Sequence, residues 1–373
     1  MTLTDFHSAD LARLAGADRR RELRRPTGLD FSSNDYLGLA SSECLRDAAH
    51  AALDDGIALG SGGSRLLRGN SPEHEAVEAA AARFFGSEAA LFAGSGYAAN
   101  TLVFSTLPQR EDRIFHDALI HASAHEGIRL SRASAQAFPH NDVDAAADAI
   151  ALWRAEGGRG TPWIAFETLY SMDGTAAPIA DFAALAEGVG AMLLVDEAHA
   201  VGACGPQGRG LAASLHARSD TVTLATCGKA LGCEGALVLS SAIMRDFLVN
   251  RGRGFIFSTA PSPLIAAVVR ESLSFMARAQ DRRERLRTLV AHAAQALEPL
   301  GIAPTGRHIQ PVILGDDGHT MRIAAALQSR GFDVRGIRPP TVPVGTARLR
   351  ISITLNIDEQ AIDDLVAALG DIL

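Results

Sequence analysis

The sequence predicts an α/β protein: a large domain on a mostly parallel seven-stranded sheet, followed by a smaller α+β C-terminal domain. Three observations carry this. Short apolar runs alternate with helical patterns between residues 89 and 239. The rhythm changes after about residue 262. The length of 373 residues exceeds one ordinary core, at roughly 100 to 200 residues per domain. The expected organisation is an N-terminal arm over 1–40, a large domain over 41–262 and the C-terminal domain over 263–373.

Taken in order, the N-terminus has no apolar stretch leading to a small-residue cleavage site, which argues against secretion. Its arginines, Arg19, Arg20, Arg21, Arg24 and Arg25, read as a solvated helix face. Expected strands are Ala89 to Phe92, Arg113 to His116, Ala135 to Phe138, Trp163 to Glu167, Ala191 to Asp196, Val222 to Ala225 and Ala236 to Leu239. Helical patterns over Glu75 to Phe85, Ala118 to Leu130 and Val143 to Glu156 separate them, the last capped by Asn141 or Asp142. Residues 89–107 carry no charge, yet Gly94-Ser95-Gly96 and Asn100 interrupt them, so they read as strand, turn and helix rather than a membrane span. A long helical run from 262 to about 300 then leads to strands Ile309 to Leu314, Asp333 to Ile337 and Ala347 to Ile353. Helices near Met321 to Arg330 and Glu359 to Leu369 complete the smaller domain.

Composition excludes several functions. Forty-three acidic residues against 35 basic ones give a net charge of -8, which argues against a grip on nucleic acid. The four cysteines fit neither a CxxC pattern nor a zinc ribbon, so a reducing, cytoplasmic setting is expected. Lysine is the informative residue: Lys229 is the only one in the chain, every other base being arginine. A surface cation exchanges readily for arginine. A position that needs a deprotonatable primary amine does not.

Four motifs bear on chemistry. Gly94-Ser95-Gly96-Tyr97-Ala98-Ala99 follows a strand and opens a helix, so its backbone N–H groups suit a phosphate. It reads equally as a GxGxxA dinucleotide loop, which would fit an NAD-dependent dehydrogenase, or as a packing turn. Asp196-Glu197-Ala198-His199 has the form of a helicase DEAH box, but its phosphate loop is missing: Lys229 is followed by Ala230, and Thr223 stands where the loop needs glycine. His116, His121 and His125 fall within ten residues, and the last two are one helical turn apart, yet Arg129 occupies the place of a zincin's second histidine, so no metal is expected. A flat stack of His121, at a helix start, on a ring is a second reading, and a capping or solvent-facing histidine is a third. Finally, Lys229 lies on a glycine-flanked turn after a strand, and Asp196 ends an earlier strand. A carboxylate that keeps a pyridine nitrogen protonated, with a lysine to hold the aldehyde, describes a site for pyridoxal 5'-phosphate.

Asn34-Asp35-Tyr36-Leu37-Gly38, Gly60-Ser61-Gly62-Gly63-Ser64-Arg65, Ser171-Met172-Asp173-Gly174, Asp196 to His199, Gly228-Lys229, Arg338 to Pro343 and Gly345 to Arg350 occur in this order. From about residue 28 onward the chain thereby resembles the α-oxoamine synthase family of fold-type I pyridoxal-phosphate enzymes. The tail and Ile309-Gln310-Pro311-Val312 are most similar to the branch that condenses L-alanine with a pimeloyl thioester, of coenzyme A or an acyl carrier protein, in biotin biosynthesis. Other members use pairs such as glycine with acetyl-CoA. The resemblance implies that Lys229 carries the cofactor, Asp196 pairs with its ring nitrogen, His121 stacks on the ring, and His199 with Ser171 meets the ring hydroxyl. It implies a phosphate held by Gly96, Tyr97 and Thr226, with Ser258 and Thr259 reaching it from the partner of a homodimer whose active site lies at the subunit interface. Arg350 would take the amino-acid carboxylate, with Asn34 close by. One departure is Glu234, where the family carries a small polar residue; its carboxylate would oppose anionic substrates unless it faces solvent.

Overall fold

The computed structural model describes residues 4–373. In chain order the elements are α1 (Asp5–Gly16), β1 (Leu29–Asp30), α2 (Glu43–Asp54), α3 (Pro72–Phe85), β2 (Ala89–Ala93), α4 (Gly96–Thr106), β3 (Arg113–Asp117), α5 (Ala122–Leu130), β4 (Ser134–Phe138), α6 (Val143–Ala155), β5 (Pro162–Glu167) and α7 (Ile179–Val189). Then follow β6 (Met192–Asp196), β7 (Thr221–Thr226), β8 (Ala236–Ser240), α8 (Ala242–Arg251), α9 (Arg253–Ile256), α10 (Pro263–Arg278), α11 (Gln280–Leu297), β9 (Ile309–Gly315), α12 (Asp317–Ser329), β10 (Phe332–Asp333), β11 (Arg335–Ile337), β12 (Ala347–Ser352) and α13 (Glu359–Gly370).

Strands β2-β8-β7-β6-β5-β3-β4 form, in that order, the expected seven-stranded sheet. Only β8 runs against its neighbours. The other six strands therefore end at one edge, where the loops of an open α/β sheet gather ligand groups. Period-two alternation divides the apolar residues between the faces. Ile114, Trp163 and Leu194 join one core cluster with Val103 of α4, while Phe115, Ile164 and Leu193 join another with Ile150 and Phe182 of α6 and α7.

Local chemistry sets the helix ends. Pro72 opens α3, His74 Nδ1 accepts the Ser71 N–H at 3.1 Å, and Gly86 closes it in the left-handed region. Ser95 and Asp142 cap α4 and α6 by accepting from the N–H groups of Ala98 and Ala145. Helix α5 starts four residues later than Ala118, because the Asp117 carboxylate takes the Leu119 N–H at 2.8 Å and holds the preceding loop open.

Contacts divide the chain into two compact units: Leu37–Tyr170 with Ala176–Arg283, and the residues up to Tyr36 with Ser171–Thr175 and Glu284–Leu373. This differs from boundaries at 40/41 and 262/263. Helix α10 packs on α2 and α3, so it belongs with the large sheet. The N-terminal segment belongs with the C-terminal residues, where β1 pairs in parallel with β10. In that second unit β11-β12-β9 form an antiparallel sheet, and the expected strand Asp333 to Ile337 is split at Val334 because its two halves pair with different partners. The arginine-rich segment is not a helix face: α1 ends at Gly16, Arg19 to Arg25 follow without helical structure, and Arg19 pairs with Asp317 at 2.7 Å. Among the described residues no helix is long and apolar enough to cross a membrane.

Glu197, next to the last residue of β6, is fully buried; its Oε1 accepts the Ala212 N–H at 2.9 Å and its Oε2 lies 3.3 Å from the equally buried His216 Nε2. Gly210 crosses this carboxylate with φ +99°, and a Cβ there would lie 1.7 Å from Glu197 Oε2. Gly210→Ala combines left-handed strain with overpacking and should cost on the order of 3 kcal/mol in urea unfolding. A loss below about 0.5 kcal/mol, the scatter of neutral surface changes, would show that the loop moves aside freely.

Candidate active site

The shared edge of the parallel strands brings the separate motifs together. A cavity of about 200 Å³ is lined by Gly96 and Tyr97 after β2, His121 after β3, Asp196 and His199 at the end of β6, and Thr226 and Lys229 at the end of β7. Lys229 Nζ is 2.8 Å from His199 Nε2. Thr226 Oγ1 accepts the Gly228 N–H at 3.3 Å and so shapes the turn that presents the lysine. Asp196 is 8% exposed, and its Oδ1 accepts the Ala198 N–H at 2.9 Å. His121 caps α5: its Nδ1 accepts the Ser123 N–H at 3.2 Å and lies 2.7 Å from Ser123 Oγ. Burial holds the His121 imidazole below its ordinary value, opposed by the nearby Asp196 carboxylate and reinforced by the Lys229 charge.

Three polar lining residues were not among the expected site residues: Asn100, Ser123 and Glu167. Asn100 sits within an uncharged run whose polarity signalled only that it was not a membrane span. The remaining expected residues lie elsewhere. Ser258 and Thr259 are exposed and do not line this cavity. Glu234 is exposed, so its charge faces solvent. In the second unit Arg350, 6% exposed, donates from Nε to the Ser171 carbonyl at 2.6 Å and from its terminal nitrogens to Ser352 Oγ at 2.8 Å, Asn34 Oδ1 at 2.9 Å and Tyr36 Oη at 3.3 Å. All of these acceptors are neutral. Two residues away on the strand, Arg348 is paired with Asp173.

The donor set suits a pyridoxal phosphate. It offers a primary amine, a buried carboxylate, an imidazole, and the N-terminus of α4, where Gly96 leaves its backbone uncovered and a Cβ would contact Thr226 Oγ1 at 3.5 Å. The dinucleotide alternative fits less well, because β2 is an edge strand and the cavity beside its loop converges on a lysine.

The family model described as aminotransferase class I and II matches residues 26–369. An 8-amino-7-oxononanoate synthase of Chromobacterium violaceum is 42% identical over 360 residues, covering 93% of this chain and 92% of that one. One of Bordetella petrii is 40% identical, covering 100% and 98%. Among solved structures, a serine palmitoyltransferase from S. paucimobilis with a bound PLP–myriocin aldimine superposes with a TM-score of 0.89 at 26% identity, covering 100% and 98%. An 8-amino-7-oxononanoate synthase from Francisella tularensis gives a TM-score of 0.76 at 26% identity, covering 92% and 97%.

His116, the third member of the histidine cluster, is 7% exposed, bonds through Nδ1 to the Asp117 carbonyl at 2.9 Å and meets the His125 ring edge-on. Burial lowers its affinity for a proton, with His125 adding to the effect. The unfolded chain takes up that proton near pH 6.5 and the folded chain only at lower pH, so this contribution to stability is present above about pH 6.5 and is lost as pH falls. Unfolding free energy should therefore decrease from pH 7 to pH 5, and His116→Asn should flatten the slope; an unchanged slope would assign it to other groups.

Proposed function

Because the chain belongs to the class I and II aminotransferase family, in its α-oxoamine synthase branch, we propose that it condenses L-alanine with a pimeloyl thioester, with loss of carbon dioxide, to give 8-amino-7-oxononanoate for biotin synthesis. The observation that carries this reading is the convergence of the chain's one lysine and the buried Asp196 on a single cavity. Relatives named for that reaction along nearly the whole chain support the substrates. The cofactor is pyridoxal 5'-phosphate. When bound it supplies an electron sink for a carbanion at the amino acid's α-carbon.

The chain's own residues do the rest. Lys229 would hold the cofactor through Nζ, and the same amine would remove the α-proton of the amino acid and later return one to that carbon. That carbon bonds to the thioester carbonyl, the carrier thiol leaves, and the original carboxylate departs as carbon dioxide. Asp196 keeps the ring nitrogen protonated. His121 would hold the ring by stacking, and His199 with Ser171 would hold its hydroxyl. Gly96, Tyr97 and Thr226 bind the phosphate, and the exposed Ser258 and Thr259 are supplied by a second subunit of a homodimer. Arg350, whose protein partners are all neutral, takes the amino-acid carboxylate beside Asn34. The thiol carrier is coenzyme A or an acyl carrier protein, and the setting is the cytoplasm.

Asp196→Asn preserves shape and removes the charge. Turnover should fall by at least about a hundredfold, because a general sink is lost rather than one contact. Cofactor absorbance should survive. Near-normal turnover would mean that another group protonates the ring. For the substrates, five methylenes at about 0.8 kcal/mol each outweigh the 1 to 3 kcal/mol that one methyl group contributes. Thiol-release assays should give kcat/KM for alanine with pimeloyl thioester at least roughly a hundredfold above glycine with acetyl-CoA, a conservative share of that difference. A preference for glycine with acetyl-CoA would overturn the substrate assignment and leave the cofactor assignment intact.

A further inference from the structure

Asn100 lies inside α4, one turn beyond the Gly96–Tyr97 start of the helix, and is 3% exposed. An amide is a poor choice for such a place on helical grounds alone, since leucine or alanine would fill it without a polar group to satisfy. Its Nδ2 donates to Asp196 Oδ2 at 2.7 Å and to Ser123 Oγ at 3.0 Å. Ser123 Oγ in turn lies 2.7 Å from His121 Nδ1. The orientation of the amide is forced: a carboxylate only accepts, so the NH₂ group must face Asp196. The consequence is that Asn100 Oδ1 is buried with no hydrogen-bond partner among the described residues. Leaving a buried acceptor unmet costs roughly 1 to 3 kcal/mol. A residue kept solely for core packing has no reason to incur that.

The helix packing is arranged around this contact. Gly127 of α5 faces Asn100, Thr101 and Phe104 of α4 so closely that a Cβ would lie 2.6 Å from Phe104 Cβ and 3.1 Å from the Asn100 carbonyl. The absent side chain lets α5 approach α4, which carries Ser123 to the amide.

We infer that Asn100 is the positioning residue of the site: its single amide group locks the Asp196 carboxylate and, through Ser123, the His121 ring into one hydrogen-bonded unit that presents both to the cofactor. It acts through Asp196 and His121, not on the substrate. This rests on the pyridoxal-phosphate reading above.

The test is Asn100→Leu, which keeps the branched side chain of four heavy atoms and removes both donors together with the unmet acceptor. Holoenzyme reconstituted with ¹⁵N-ring-labelled pyridoxal phosphate reports protonation of the ring nitrogen directly. The variant should show a ring-nitrogen shift moved toward the unprotonated form and kcat lowered about ten- to a hundredfold, the range for losing one preorganised donor. KM for the pimeloyl thioester should stay within about twofold, as expected when no substrate contact is removed. The melting temperature should fall by no more than a few degrees, since the buried Asp196 loses one donor, while the protein stays folded at the assay temperature, which separates positioning from scaffolding. A wild-type nitrogen shift and kcat in the variant would overturn the assignment, as would a loss of activity that merely follows a loss of folded protein. Should Asn100→Leu fail to fold, Asn100→Ala adds no bulk and is read in the same way. Wild-type protein that takes up no pyridoxal phosphate would instead overturn the cofactor reading, and this inference with it.

Discussion

The carboxylate of Asp196 is the constraint around which the site is organised. A negative charge at 8% exposure is costly unless donors surround it. The chain supplies them from two directions: the Ala198 N–H from the strand's own continuation, and the Asn100 amide from the helix that opens beside the proposed phosphate site. The first contact is local and comes with the turn after β6. The second requires α4 to lie over the end of that strand, so one hydrogen bond ties the position of the helix N-terminus to that of the carboxylate. His121 is drawn into the same arrangement by Ser123, and its imidazole stays neutral mainly because it is buried.

The neighbouring glutamate shows how one short motif serves two purposes. At the end of β6, Asp196 lines the cavity while Glu197 turns into the core, where it meets Ala212 and His216 and admits only a glycine at position 210. The acidic pair that gave the sequence its helicase-like appearance is thus one cavity-facing carboxylate and one buried tie. The tie anchors the segment that follows the strand, which includes His199, 2.8 Å from the lysine.

How far the sequence was legible follows from the physics of each signal. Six of the seven strands of the large sheet were visible as apolar runs, because a strand covered on both faces has no alternation to obscure it, whereas the edge strand β4 is mostly exposed and was legible only by its place in the alternation of strands and helices. Lys229 was visible because its neighbours in composition had been removed. The β1–β10 pair was not, since two residues carry no period, and the break at Val334 depends on partners far away in the chain. The arginine-rich segment misled because charge density was taken for a helix face when no apolar stripe stood behind it. Asn100 escaped for a different reason: nothing about an amide in an apolar helix reveals, without coordinates, that a carboxylate 96 residues later in the chain points at it.

Arg348 and Arg350 illustrate how charge pairing sorts buried cations. Both lie on β12 with their side chains on the same face, as positions two apart must, and both are buried. Arg348 meets Asp173, so its charge is answered within the protein. Arg350 is surrounded by a carbonyl, an amide oxygen and two hydroxyls, which orient the guanidinium without neutralising it. Neutral acceptors fix the plane and direction of the fork, yet they leave a net positive charge in a place of low exposure, where an added carboxylate gains more than it would in water. The asymmetry between two arginines on one face therefore leaves one cation answered within the protein and the other held in direction by neutral groups alone.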